Sequence, residues 1–141
     1  MAEQFTHVAR VPMQLTQGCL IASIQVDLNQ RVLEQFQQDL LDKIRTTQTK
    51  VVVLDVSGVE IIDREEFIAL RKSMEMARLM GSRTMIVGIR AGIACALLDY
   101  DIDFGDLETA LTLDQAFEIL LPVIKVTDES ASATEEPHDP T

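Results

Sequence analysis

From Val51 to Val56 the chain reads Val-Val-Val-Leu-Asp-Val, an apolar, β-branched run of the kind buried on both faces of a parallel sheet. Thr84-Met-Ile-Val87 is a second such run. Between and around them the apolar residues change period. Over residues 28–45, Leu33, Phe36, Leu40, Leu41 and Ile44 recur at helical spacing, with Gln, Asp and Arg between them. From Asp63 to Met80 the stripe is Phe67, Leu70, Met74 and Ala77, and Gly81 follows as a helix stop. Ala91–Tyr100 and Leu113–Leu121 are predicted as two further helices, the last with Ala116, Phe117, Leu120 and Leu121 as its apolar face. Ahead of all these, Val11–Thr16 and Cys19–Gln25 flank Thr16-Gln17-Gly18 and predict a β-hairpin. Residues 104–108 predict a short edge strand. Helical crossovers between buried strands require a mixed sheet covered by helices, an α/β fold. Residues 1–126 form the predicted domain. Residues 127–141, acidic and Pro-containing, are expected to be a disordered tail.

The junction between the buried strand and the second helix is Gly58-Val-Glu-Ile-Ile-Asp-Arg-Glu-Glu-Phe67. Asp63 is the predicted N-cap, its carboxylate accepting free N–H groups of the first turn. Glu66, three positions on, can reach back to the Asp63 amide as a capping box. Glu65 and Glu66 also sit at the positive end of the helix dipole, worth roughly 0.3–1 kcal/mol each when exposed. By physics alone, ordinary capping accounts for these acids.

Charge narrows the partners. The chain of 141 residues has a formal net charge of −11, from 12 basic and 23 acidic residues. Five of those acids follow Val126, which leaves residues 1–126 at 18 acids against 12 bases, or −6. Such a surface repels phosphate backbones and anionic lipid, so neither nucleic acid nor membrane is an expected partner. No apolar run reaches the ~18–20 residues of a membrane span, and the start lacks the pattern of a secretory signal. Cys19 and Cys95 both stand in apolar sequence and are expected as buried free thiols in a cytoplasmic protein.

Several chemistries fail on spacing. An EF-hand counted from Asp99 needs glycine sixth and glutamate twelfth, where the chain has Phe104 and Ala110; the acids from Asp99 to Glu108 are expected as a solvated loop, with no metal. Asp55, ending a buried strand, is placed like the phosphoacceptor of a receiver domain. The acidic pair and the lysine that such chemistry needs are missing, since no acid lies between Glu3 and Asp27 and the late lysine is Lys125. His7 and His138 lie close to the ends, and there is no Gly-rich phosphate loop. Ser57 before Gly58 reads as a turn residue, and Met74, Met76 and Met80 as core filler. No enzyme is expected.

Taken together, Leu54–Asp63, Ala77–Gly81, Val87–Arg90 and Leu107–Ala116 resemble STAS domains, the family of anti-sigma factor antagonists, and more narrowly the RsbS scaffold proteins of bacterial stressosomes. The resemblance covers about residues 8–122. It implies the STAS fold: a small mixed β-sheet packed with about four α-helices, with an N-terminal β-hairpin. It also implies a non-enzymatic role without a cofactor, in which the protein co-assembles with an RsbR-like STAS paralogue into a large symmetric hetero-oligomer. That assembly sequesters an RsbT-type serine/threonine kinase and releases it when STAS domains are phosphorylated. The short N-terminus fits the RsbS type, because RsbR-type paralogues carry a sensory domain ahead of the STAS unit. A free-standing antagonist binding an anti-sigma kinase one-to-one is the alternative.

In such proteins the acceptor Ser or Thr lies just after the aspartate matching Asp63. Here the acceptor positions hold Arg64 and Glu65, and a second acceptor position falls near Ala96; none of the three can be phosphorylated. Either the switch is lost, or Glu65 and Glu66 partly imitate a phosphate, with about one charge each against ~1.5–2. The resemblance and the capping pattern mark Ser57, Gly58, Asp63, Arg64, Glu65 and Glu66 as the switch and partner-binding set.

Overall fold

The computed structural model describes residues 9–102, 104 and 106–135, the last eleven as backbone. The hairpin forms from β1 (Met13–Thr16) and β2 (Cys19–Ser23) around a two-residue turn, with Gln17 at φ 53° and Gly18 at φ 81°. Positive φ at both turn positions matches the twist of the flanking strands. Then follow α1 (Gln30–Thr47), β3 (Val51–Asp55), α2 (Arg64–Leu79), β4 (Arg83–Val87), α3 (Ala91–Asp99), β5 (Thr109–Ala110) and α4 (Leu113–Glu135).

The sheet order is β1-β2-β3-β4-β5, antiparallel at the hairpin and parallel elsewhere. Each crossover moves to the next strand in the same direction. The right-handed rule for such crossovers therefore puts their helices on one face of the sheet. Val32, Phe36 and Leu40 of α1, Phe67, Leu70 and Met74 of α2, and Ile93 and Leu97 of α3 do share one core, with Leu20, Val52, Leu54 and Ile86 from the sheet. The alternate sheet residues Cys19, Val51, Val53, Met85 and Val87 face the opposite way, onto Ala116, Leu120 and Ile124 of α4. This is why Val51–Leu54 has no polar alternation: both of its faces are covered.

The helix ends follow their sequence signals. Asn29 caps α1 by accepting from the Val32 amide at 2.9 Å. At the end of α2, Gly81 N–H bonds the Arg78 carbonyl and Ser82 N–H the Ala77 carbonyl, a paired C-terminal closure. The buried Thr49 and Ser82 are satisfied there too: Thr49 donates to the Gly18 carbonyl, and Ser82 to that of Thr49.

Three expectations need correction. The edge strand is β5, at Thr109–Ala110 instead of 104–108, because Phe104 turns inward to meet the Phe67 ring edge-on with centroids 6.3 Å apart. Cys19 is buried, but Cys95 is exposed on the outer side of α3. Leu121 and Met80 are 42% and 43% exposed, so neither belongs to the core assigned to it. The described backbone of α4 runs to Glu135, within the stretch from Thr127 expected as a tail. No proline or glycine interrupts the chain between Pro122 and Pro137, and a helix already started costs little to propagate. His7, His138, Asp103 and Gly105 lie outside the described residues.

Candidate docking site

The loop from Ser57 to Asp63 leaves the C-terminal end of β3 and delivers the chain to the tip of α2. Asp55, the half-buried last residue of the strand, turns its carboxylate back on the loop, where Oδ1 accepts the Ser57 amide at 2.9 Å. The side chain placed like a receiver phosphoacceptor is therefore engaged in an Asx turn. Ser57 is exposed. Gly58 lies under the end of the hairpin, and a Cβ there would stand 3.0 Å from the Ile24 carbonyl. A second close approach comes from Gly88, at φ +80°, where a Cβ would come within 2.8 Å of the Ser57 Cβ. The loop thus threads between two backbones, and Val59 and Ile62 point inward at 7% and 3% exposure.

At the helix tip the capping box is complete. Asp63 Oδ1 accepts from the Glu66 amide at 2.7 Å, and Glu66 Oε1 accepts from the Asp63 amide at 3.0 Å. Two of the four orphan N-terminal donors are satisfied reciprocally. Glu65 is left exposed in the first turn. Arg64 does not fold over these acids; its Nε donates to the Tyr100 carbonyl at 3.2 Å. A hollow of about 360 Å³ runs alongside, between Gln30, Glu34 and Gln37 of α1 and Asp63, Glu65, Glu66 and Lys72 of α2.

Of the six residues singled out from sequence, Asp63, Arg64, Glu65 and Glu66 form the tip, while Ser57 and Gly58 stand at the other end of the loop. Sequence reasoning missed Glu60, Arg90 and Tyr100. Arg90 Nε donates to the Ser57 carbonyl at 2.8 Å, with its terminal nitrogen 3.6 Å from the Glu60 carboxylate. The Tyr100 hydroxyl donates to the Ile62 carbonyl at 2.8 Å. The acidic stretch after Asp99 is partly paired. Arg78 meets Asp106 at 3.0 Å, and Arg83 grips both oxygens of Glu108 at 2.7 and 3.0 Å. These bonds hold both carboxyls below their ordinary pKa: at Glu108 the Arg83 hydrogen bond outweighs burial, and at Asp106 the Arg78 hydrogen bond leads. The acids the sequence pointed to as a solvated loop therefore help tie it to β4 and α2.

A five-stranded sheet with three crossover helices on one face, a closing helix on the other and a polar, capped helix tip defines a small α/β domain. The STAS domain model matches residues 10–116, and the chain belongs to that family. It is 26% identical over 102 residues to the RsbT co-antagonist protein RsbRA of Bacillus subtilis, covering 72% of this chain and 36% of that one. RsbRD of the same organism is 25% identical over 114 residues, covering 81% of this chain. The chain thus spans 36–41% of the length of these two curated relatives. Among solved structures, a serine-to-glutamate variant of Moorella thermoacetica RsbS superposes with a TM-score of 0.71 at 26% identity. That match covers 83% of this chain and 99% of the RsbS chain. The protein is a STAS domain related to the RsbR and RsbS proteins of stressosomes and to anti-sigma factor antagonists. Among the described residues, no helix is long and apolar enough to cross a membrane.

Proposed function

We propose that this chain is a non-enzymatic, cytoplasmic scaffold of a stressosome-type assembly. It packs with an RsbR-like STAS paralogue into a large symmetric particle that holds an RsbT-type serine/threonine kinase. The kinase-facing surface is the 57–66 segment, and its own phosphoswitch is fixed. One observation carries this reading: the tip of α2 bears no hydroxyl, its caps are closed by Asp63 and Glu66, and Arg64 is bonded away to Tyr100. A phosphate would find no acceptor there, and the anionic face is permanent. Ser57 is the nearest exposed hydroxyl in the segment. Ser73, in the middle of α2, is 2% exposed and donates to the Ala69 carbonyl.

The test is phosphorylation and assembly together. After incubation with the cognate kinase and ATP, mass spectrometry is expected to find no phosphate on residues 63–66. Stoichiometric phosphate on Ser57 or Ser73 overturns the fixed switch. Mixed with an RsbR-like partner, the protein is expected to elute as a megadalton-scale particle. A small one-to-one complex with a kinase, and no particle, would favour a free-standing antagonist instead.

A further inference from the structure

Helix α3 touches the docking loop at both of its ends. Its N-cap residue, Arg90, holds the start of the loop through the Ser57 carbonyl at 2.8 Å and the Glu60 carboxylate at 3.6 Å. Its C-cap residue, Tyr100, holds the end: the hydroxyl donates to the Ile62 carbonyl at 2.8 Å, and the carbonyl accepts from Arg64 at 3.2 Å. Between the grips, Ile93 and Leu97 anchor the helix in the core at 3% and 2% exposure. A nine-residue helix is a strut of about 14 Å whose length cannot change without breaking its own hydrogen bonds. Val59 and Ile62 seat the loop in the core, but few hydrogen bonds fix its backbone. Apart from those grips, the backbone bonds described from Ser57 N–H to Asp63 N–H are the Asx turn at Ser57, a single turn from Val59 N–H to the Val56 carbonyl, and Asp63 N–H to Glu66 Oε1.

We propose that α3 is a bracket that sets the shape of the 57–64 loop as one unit. Arg64, at the position where an acceptor hydroxyl is expected, forms part of that bracket. The loop is then held at a fixed span, and a change at either end of α3 reaches both ends of the docking surface. Only the consequence for partner affinity rests on the proposed function; the mechanical coupling does not.

Amide hydrogen exchange on the whole chain tests it with two mild variants. Tyr100→Phe removes one hydroxyl and keeps the ring in place; Arg90→Gln alters an exposed side chain. Losing a hydrogen bond of ordinary net strength shifts a local opening equilibrium by about two- to tenfold. If the bracket acts as a unit, each variant speeds exchange at both Val59 and Asp63 by a factor in that range. Amides in the middle of α1 serve as the unchanged reference. The bracket is overturned if Tyr100→Phe moves only Asp63 and Arg90→Gln only Val59, or if neither variant moves either amide. Kinase affinity measured on the same proteins separates the two ideas. Faster exchange with unaltered affinity keeps the bracket and removes the docking role of the loop. Unaltered exchange removes the bracket whatever the affinity.

Discussion

Replacing Asp63 separates two contributions that the structure superimposes at the tip of α2. Asp63→Ala deletes the oxygen that accepts the Glu66 amide at 2.7 Å and also removes a negative charge from the helix start. Loss of an N-cap acceptor costs about 1 kcal/mol, within a range of ~0.5–2. Loss of the dipole partner adds roughly 0.3–1 kcal/mol at an exposed site, and Asp63 is exposed. Asp63→Asn keeps the acceptor and removes only the charge, so its cost is confined to the second figure. The expected order is therefore about 1–2 kcal/mol for alanine against roughly 0.5 kcal/mol for asparagine. For a chain of 141 residues, 1 kcal/mol corresponds to about 3–5 °C in Tm. Urea denaturation at neutral pH, with an unchanged m-value as the check that both states keep their compactness, measures the difference. Added salt supplies an internal control, because it screens the charge effect and leaves the acceptor effect. If asparagine proves as costly as alanine, charge and not hydrogen-bond geometry holds the tip. If neither has a cost, the capping box contributes nothing to the fold.

Three further outcomes follow from other parts of the molecule. Glu65→Ser combined with Glu66→Ala is expected to cost about 0.5–1.5 kcal/mol by thermal melting, and a change in kinase affinity without loss of fold would show that the acids act on a partner as well as on the helix. Gly88→Ala is expected to cost about 1–3 kcal/mol, since the new Cβ would sit 2.8 Å from the Ser57 Cβ, whereas Gly81→Ala meets nothing within 4 Å and is expected to cost only about 1 kcal/mol; equal losses in chemical denaturation would refute the close approach. Arg83→Gln breaks the two-pronged grip on Glu108, worth roughly 1 kcal/mol for a pair that is 36% and 39% exposed. Glu108 has a folded pKa below its unfolded one, so its stabilisation is present above the ordinary value of 4.5 and fades as pH falls through the lower folded value. The gap between the parent and Arg83→Gln in a pH series of urea melts is accordingly expected to close on acidification, and a constant gap would refute the pairing.

What could be read from the chain and what could not divide along the range of the interactions. The stripes on α1 and α2, the buried runs of β3 and β4, the Asp63 cap and the glycine after α2 are all set by neighbours within a few positions, and each left a periodic or positional mark. Asp63, Arg64, Glu65 and Glu66 were visible for the same reason. Arg90 and Tyr100 were not, because their partners lie 30 to 38 positions away and become neighbours only when the crossover puts α3 beside the start of α2. Neither residue breaks any local rule: an arginine before a helix and a tyrosine after it are ordinary in a sequence. The misplaced edge strand has the same origin. Phe104 looks like a strand residue by propensity, but its ring is claimed by Phe67, and pairing with β4 begins only at Thr109, where Ile86 is opposite. Local pattern therefore determined where the 57–64 loop begins and ends, while its shape is a property of the packed sheet. A substitution at Arg90 or Tyr100, silent in any pattern analysis, is for that reason expected to disturb the 57–64 loop more than an equally mild change at the exposed, periodic positions of α1.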